Sequence, residues 1–346
     1  LGDAWVKKEN YVGNGAYKLA NHIINEKIEF ERNPLYWNDK ETVINSATFL
    51  AIENPSTDVA RYRAGDLDMT SYALPPEQFA KLQKELPGEV FTTRTLATYS
   101  YELNNKKAPF DNVNVRKALN LSLDRNVITD KVLGQGQTPT YVFTPTYIEE
   151  GHLIQQPAYS KEPMAQRNEE AIKLLEEAGY SKANPLKFSI LYNTNENHKK
   201  VAIAAASMWK ANTKGLIDVK LENQEWKTYI DSRRAGRYDA ARAGWNADYN
   251  QATTFGNYFL SNSSNNTAKY ANPEYDKAIA ESYVATDAEG RAKAYAKAEE
   301  ILAKDFGIVP IFNYVNPRLV KPYVKGYSGK DPQDHIYLRN LYIIKH

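Results

Sequence analysis

Cysteine is absent from the 346 residues, which excludes structural disulfides, thiolate metal sites and a cysteine nucleophile and leaves the redox compartment open. No apolar run approaches the roughly 20 residues that cross a bilayer; the longest lies around Val201 to Trp209, so a soluble chain is expected. Neither sign of charge dominates: 44 basic and 42 acidic residues leave a net charge of +2. With no basic block or acidic tail, nothing points to nucleic acid or a membrane surface. The sequence opens at Leu1 with no charged-then-apolar leader, so any signal peptide is expected to have been removed or to lie upstream. The five histidines, His22, His152, His198, His335 and His346, are scattered without metal-ligand spacing, so no metal is expected. Gly13-Asn14-Gly15 lacks the third glycine of a dinucleotide loop, Gly134-Gln135-Gly136 has no Lys-Ser/Thr after it, and Gly326-Tyr327-Ser328-Gly329 has the wrong spacing for a nucleophile elbow. No cofactor is implied.

What is present is size enough for two domains or one large α/β domain, and tyrosine in 25 copies, a side chain suited to wet binding surfaces as well as to cores. Strands and turns with two short helices are expected over the first hundred residues, with a capped helix from Ser56 to Gly65, a strand from Leu67 to Thr70 and a helix after Pro75-Pro76. Asp66 and Asp68 would share one side of that strand, as a paired-carboxylate hydrolase requires, or as two exposed charges at a turn. Extended stretches are expected at Glu89 to Asn104 and Ile308 to Tyr314, a mostly helical span at Val113 to Leu133, a long loop at 134–165 and a helix at Glu169 to Ala178. Asn272-Pro273 opens another helix, and Thr286-x-x-Glu289 reads as a capping box ahead of a helix to about Lys304.

The clearest architecture is the series strand Leu186 to Tyr192, helix Lys199 to Ala211, strand Ile217 to Glu222, helix Trp226 to Arg234 and strand Tyr238 to Ala243. That order argues for a largely parallel sheet, with ligands off the carboxyl ends of its strands. The last strand leads into the most informative segment, residues 238–250, which carries Arg242, Gly244, Trp245 and Asp248. Arg242 and Asp248 are opposite charges separated by about 20 Å of strand, less if the chain turns at Gly244. They suit a zwitterionic ligand such as a peptide, or they are ordinary surface charges.

Val12-Gly13-Asn14-Gly15-Ala16-Tyr17, Asn33-x-x-Tyr36-Trp37, Arg61-x-Arg63-x-Gly65-x-Leu67-Asp68, Val113-x-Val115-Arg116-x-Ala118-Leu119, Asp124-Arg125 and Gly244-Trp245-x-Ala247-Asp248-Tyr249 together resemble the periplasmic oligopeptide-binding proteins of ABC importers, the OppA type of solute-binding protein family 5. The likeness covers essentially the whole chain, including Tyr192-Asn193-Thr194, Asn223-Gln224-Glu225-Trp226-Lys227 and Arg318-Leu319-Val320-Lys321-Pro322. It implies an α/β, two-lobed periplasmic-binding-protein-like (class II) fold with mixed, largely parallel sheets and a double-crossing hinge. This chain would hold the carboxyl-terminal two-thirds: 1–96 plus 316–346 as part of lobe I, and 97–315 as the other large lobe.

The resemblance further implies a monomeric periplasmic binder, not an enzyme, that closes over short peptides and delivers them to an inner-membrane ABC permease. By position, Asp248 matches the carboxylate that meets the peptide amine. Arg242 and His198 match groups facing the peptide carboxylate, Arg233 a basic and Glu102 an acidic residue of the site, and Trp226 and Trp245 pocket walls; Gly244 and Asn246 flank Trp245. His198 as a solvated helix start and Trp226 as plain core are the competing readings. The family's usual cysteine pair stands here as Ala97 and Asn246, Ser100 replaces a common tyrosine, and Leu133 replaces a lysine that can meet longer peptides. A narrower sibling ligand, a murein tripeptide or dipeptides, is the alternative, in which Arg233 meets an extra carboxylate.

Overall fold

A computed structural model describes residues 2–346. In chain order the strands and helices are β1 (Tyr17–Ile23), β2 (Lys27–Arg32), β3 (Ser46–Leu50), α1 (Pro55–Ala64), α2 (Pro76–Glu85), β4 (Val90–Leu103), α3 (Val113–Leu121), β5 (Thr138–Pro139), α4 (Met164–Glu177), β6 (Leu186–Asn193), α5 (Glu196–Asn212), β7 (Ile217–Gln224), α6 (Trp226–Arg234), β8 (Ala240–Asn246), α7 (Thr253–Gly256), α8 (Pro273–Val284), α9 (Ala288–Lys304), β9 (Ile308–Leu319), β10 (Val324–Lys325) and β11 (Tyr342–Ile343). They divide into two units, one made of the residues up to Thr93 with Asn316–His346, the other of Arg94–Val315.

In the first unit β1, β2 and β3 form an antiparallel sheet. Asn25 turns the hairpin between β1 and β2 at a φ of 61°, a left-handed conformation that asparagine tolerates better than most residues. α1 begins one residue earlier than Ser56: Asn54 accepts from the backbone N–H groups of Ser56 and Thr57, Pro55 takes the first helical position, and Gly65 closes the helix at a φ of 88°. An asparagine before proline is the stronger start, since its side chain caps and the proline has no N–H to leave unpaired. Val59, Tyr62, Leu74, Phe79, Leu82 and Leu319 form the buried cluster beneath α1 and α2.

The strand expected at Leu67 to Thr70 is reduced to a single antiparallel bridge, Met69 with Val320. The Thr70 hydroxyl accepts from Leu319 N–H at 2.9 Å, so a side chain takes the place of a ladder bond. The same-face argument for Asp66 and Asp68 falls with the strand. Asp68 accepts instead from the Tyr323 hydroxyl at 2.9 Å.

The second unit is built on a six-stranded sheet in the order β5-β9-β4-β8-β6-β7. β6 pairs in parallel with β7 and with β8, whereas β4 meets β8 and β5 meets β9 antiparallel. Parallel pairing is therefore concentrated where α5 and α6 supply the crossovers that parallel neighbours need, and the sheet is mixed. Ala97 and Asn246 are direct cross-strand partners, so the two positions expected to stand for a lost cysteine pair do face each other.

The helical span at Val113 to Leu133 is broken: α3 stops at Leu121, and a π-helical turn follows at Val127–Leu133. Between them Arg125 turns inward and donates to the carbonyls of Thr140, Pro310, Asn120 and Leu123. α4 starts at Met164, five residues before the expected helix. α9 is capped by Asp287, which accepts from Gly290 N–H at 2.6 Å, not by Thr286. Both residue types can cap, and aspartate adds a negative charge at the positive end of the helix. The main core joins Tyr99, Tyr101, Phe188, Trp209 and Phe312 on one face of the sheet, and Trp209 donates its indole N–H to the Leu119 carbonyl at 2.9 Å.

Candidate functional site

Alternation along β8 decides which side chains meet. Arg242 lies opposite Tyr101 and Gly244 opposite Tyr99, while Ala241, Ala243 and Trp245 lie opposite Glu102, Ser100 and Thr98. Successive residues point to opposite faces, so Arg242 and Glu102 belong to different sides of the sheet.

On the Arg242 face the guanidinium is held by neutral groups. It donates to the Tyr314 hydroxyl and, at 3.5 Å, to Asn193 Oδ1, and it lies 5.2 Å from the centre of the Tyr99 ring. Tyr229 donates its hydroxyl to the Arg242 carbonyl. Arg242 Nε is buried without a hydrogen-bond partner, and among the described residues no carboxylate pairs with Arg242. Since a guanidinium does not lose its proton in a protein, a positive charge is left partly desolvated and uncompensated.

His198 joins this cluster from the first turn of α5, with its ring 5.6 Å from that of Tyr99. It is half-buried rather than solvated, and its Nδ1 is buried with no partner. Burial, with the charge of Arg242 adding to it, pushes its pKa well below the ordinary imidazole value, so the ring is neutral. Tyr99 is pushed well above the usual phenol value by burial and stays protonated. The chain does not turn at Gly244, which lies inside β8. Its lack of a side chain serves close approach: a Cβ there would lie 3.0 Å from the Tyr314 hydroxyl and 3.1 Å from Arg242 Nη2.

The opposite face carries a closed ion pair. Arg233, from α6, lies 3.0 Å from Glu102, and the Glu102 side chain is wholly buried. Tyr258 donates to Glu102 at 2.6 Å, Thr267 donates to its other oxygen, and Arg233 donates to both hydroxyls. Arg233 and Glu102, expected as a basic and an acidic residue of the site, are thus bound to each other. They neutralise one another, because a charge this deep is tolerated only with a partner.

Trp245 packs on Tyr258 with ring centres 4.9 Å apart and donates its indole N–H to Thr254 Oγ1 at 3.1 Å. Asp248, exposed two residues past the end of β8, uses the same threonine: its N–H donates to Thr254 Oγ1 at 3.2 Å, and the hydroxyl donates to Asp248 Oδ2 at 3.1 Å. Thr254 thus ties the aspartate to the tryptophan. Asn246 is exposed at the strand end. Trp226 is 53% exposed, which rules out plain core, and packs on Tyr229 at 5.8 Å.

Sequence reasoning missed Tyr99, Tyr229, Tyr314 and Thr254 as site residues, and held Asn193 only as part of the Tyr192-Asn193-Thr194 motif. The alternation that puts Tyr99 and Tyr101 on one face of β4 was the only signal available for the first.

Residues 1–267 match the model of the bacterial extracellular solute-binding proteins, family 5 middle. The chain is 97% identical over its whole length to the periplasmic oligopeptide-binding protein OppA of Haemophilus influenzae and spans 64% of that protein. It is 43% identical to the periplasmic murein peptide-binding protein MppA of Escherichia coli, again over 64% of the relative's length. Among solved structures, the H. influenzae OppA complex with RPPGFSPFR superposes with a TM-score of 0.97 at 96% identity, covering 100% of this chain and 67% of that one. The E. coli murein tripeptide binding protein MppA superposes at 0.94 with 43% identity, over 99% of this chain and 67% of that one. The chain thus spans less than two thirds of the curated relatives' length.

Proposed function

Because the chain belongs to the bacterial extracellular solute-binding proteins, family 5, we propose that it is the larger part of a periplasmic protein that captures short peptides and passes them to an ABC permease. The observation that carries this reading is the pairing of an uncompensated, partly buried Arg242 and neutral His198 with an exposed carboxylate, Asp248, beyond the end of the same strand. A zwitterionic peptide supplies the complement of each. Its carboxylate meets Arg242 beside His198, and its amine meets Asp248, whose orientation Thr254 maintains. Trp245 and Trp226 serve as apolar walls for side chains, with Gly244 and Asn246 leaving backbone room beside Trp245.

The relative solved with RPPGFSPFR supports peptides as the ligand class, and membership of a family of solute-binding proteins supports a carrier that leaves its ligand intact. A narrower ligand with an extra carboxylate at Arg233 loses its support, since Glu102 already holds that arginine. In the full-length protein Asp248→Ala should weaken free-amine peptides by about 2 kcal/mol or more and N-acetylated ones far less. Calorimetric titration of both series decides, and equal losses would remove Asp248 from the role.

A further inference from the structure

The reading of Arg242 and His198 as the carboxylate end of the site is the foundation for a second statement, about a proton. His198 lies beside Tyr99 of β4 and within the field of Arg242 of β8, and these two are in turn ringed by Tyr101 of β4, Tyr314 of β9 and Tyr229 of α6. On its own helix Glu196 and Lys199 are exposed and Lys200 is half-buried. Arg242 is the fixed charge that acts on the imidazole. Arg242 Nε and His198 Nδ1 are both buried without partners.

A second cation beside an unscreened guanidinium is unfavourable while the pocket lacks an anion, and burial works in the same direction. A carboxylate seated between them reverses the balance, because it offers the imidazolium an opposite charge and an acceptor for its N–H. We propose that capture of a ligand carboxylate at Arg242 is coupled to protonation of His198, so that a peptide binds together with a proton from solvent. The imidazole nitrogen gains that proton and an N–H to carboxylate hydrogen bond forms; no other bond changes.

The sign follows from linkage. The pKa of His198 is low in the empty site and rises when the carboxylate arrives. Affinity is then flat above the bound value, climbs as pH falls through the interval between the two, and levels off below the empty value. Within that interval one proton per ligand corresponds to tenfold in affinity per pH unit. The peptide's own ends stay charged around pH 6, with reference values of about 3.5 for the carboxyl and about 8 for the amine, so they contribute little there.

The experiment is isothermal titration of the full-length protein near pH 6, in two buffers of different ionisation enthalpy, with alanine peptides of three to five residues and their carboxyl-terminal amides. The expected result is uptake of up to one proton with the free acids, none with the amides, and none with the free acids on His198→Gln. No uptake by the wild type with any free acid, or the same uptake with amides or with His198→Gln, overturns the coupling while leaving peptide binding intact. If none of the peptides binds, the functional reading falls and the coupling with it. The amide arm needs no variant, so it decides even where His198→Gln does not fold.

Discussion

Arg233 and Arg242 are nine positions apart, and they treat the burial of a guanidinium in opposite ways. Arg233 reaches a wholly buried carboxylate, and Tyr258 and Thr267 bond to both members of the pair, although Arg233 Nε is left without a partner. Arg242 meets tyrosines and an asparagine, has no carboxylate partner among the described residues and, after burial, helps to depress the pKa of a neighbouring histidine. A charge-compensated pair of this kind holds a fold in one arrangement. An unsatisfied charge held by neutral groups reduces stability and is retained where a ligand completes it. The contrast separates a compensated guanidinium from an uncompensated one more firmly than residue type or sequence position does.

The largest effect should come from breaking the closed pair. Glu102→Gln leaves Arg233 buried without its counter-charge and is expected to cost about 3–5 kcal/mol in urea unfolding, while the discrimination between free-acid and amidated peptides persists. Arg242→Met should do the reverse. It removes a charge that has no ionic partner, so stability should change by about 1 kcal/mol or less, whereas free-acid peptides should lose about 2–5 kcal/mol of affinity in the full-length protein. If Arg242→Met unfolds as readily as Glu102→Gln, the distinction between the two arginines is broken. Gly244→Ala should have the smallest effect: a methyl 3.0 Å from the Tyr314 hydroxyl and 3.1 Å from Arg242 Nη2 forces a local shift worth about 1 kcal/mol. A crystal structure of that variant should show the Arg242 to Tyr314 hydrogen bond displaced and the Glu102 pair untouched.

Much of the architecture around this contrast was legible in the chain. Alternating apolar runs and helical spacing marked β6, α5, β7, α6 and β8 in order, and α6 begins at Trp226 and ends at Arg234 as expected. Where one of several polar residues had to be chosen as a cap, the choice slipped by one or two positions, to Asn54 and Asp287, since serine, threonine, asparagine and aspartate all cap and neighbouring candidates compete. The strand at Leu67 to Thr70 had strand composition but only a point of contact with its neighbour, and a strand without a ladder does not form.

By itself the sequence determined what depends on local order: the βαβαβ series, the strand that carries Arg242, and the six-residue spacing from Arg242 to Asp248. Alternation made Arg242 and Gly244 companions on one face before any partner was known. Only the tertiary structure decided which charge is spent. Glu102 and Arg233 are 131 positions apart, with Tyr258 and Thr267 further along, and no periodicity links them. Charge compensation acts through space over a few ångströms in a medium of low polarity, so the difference between a guanidinium that is paired with a carboxylate and one that is not is settled by packing, not by order along the chain.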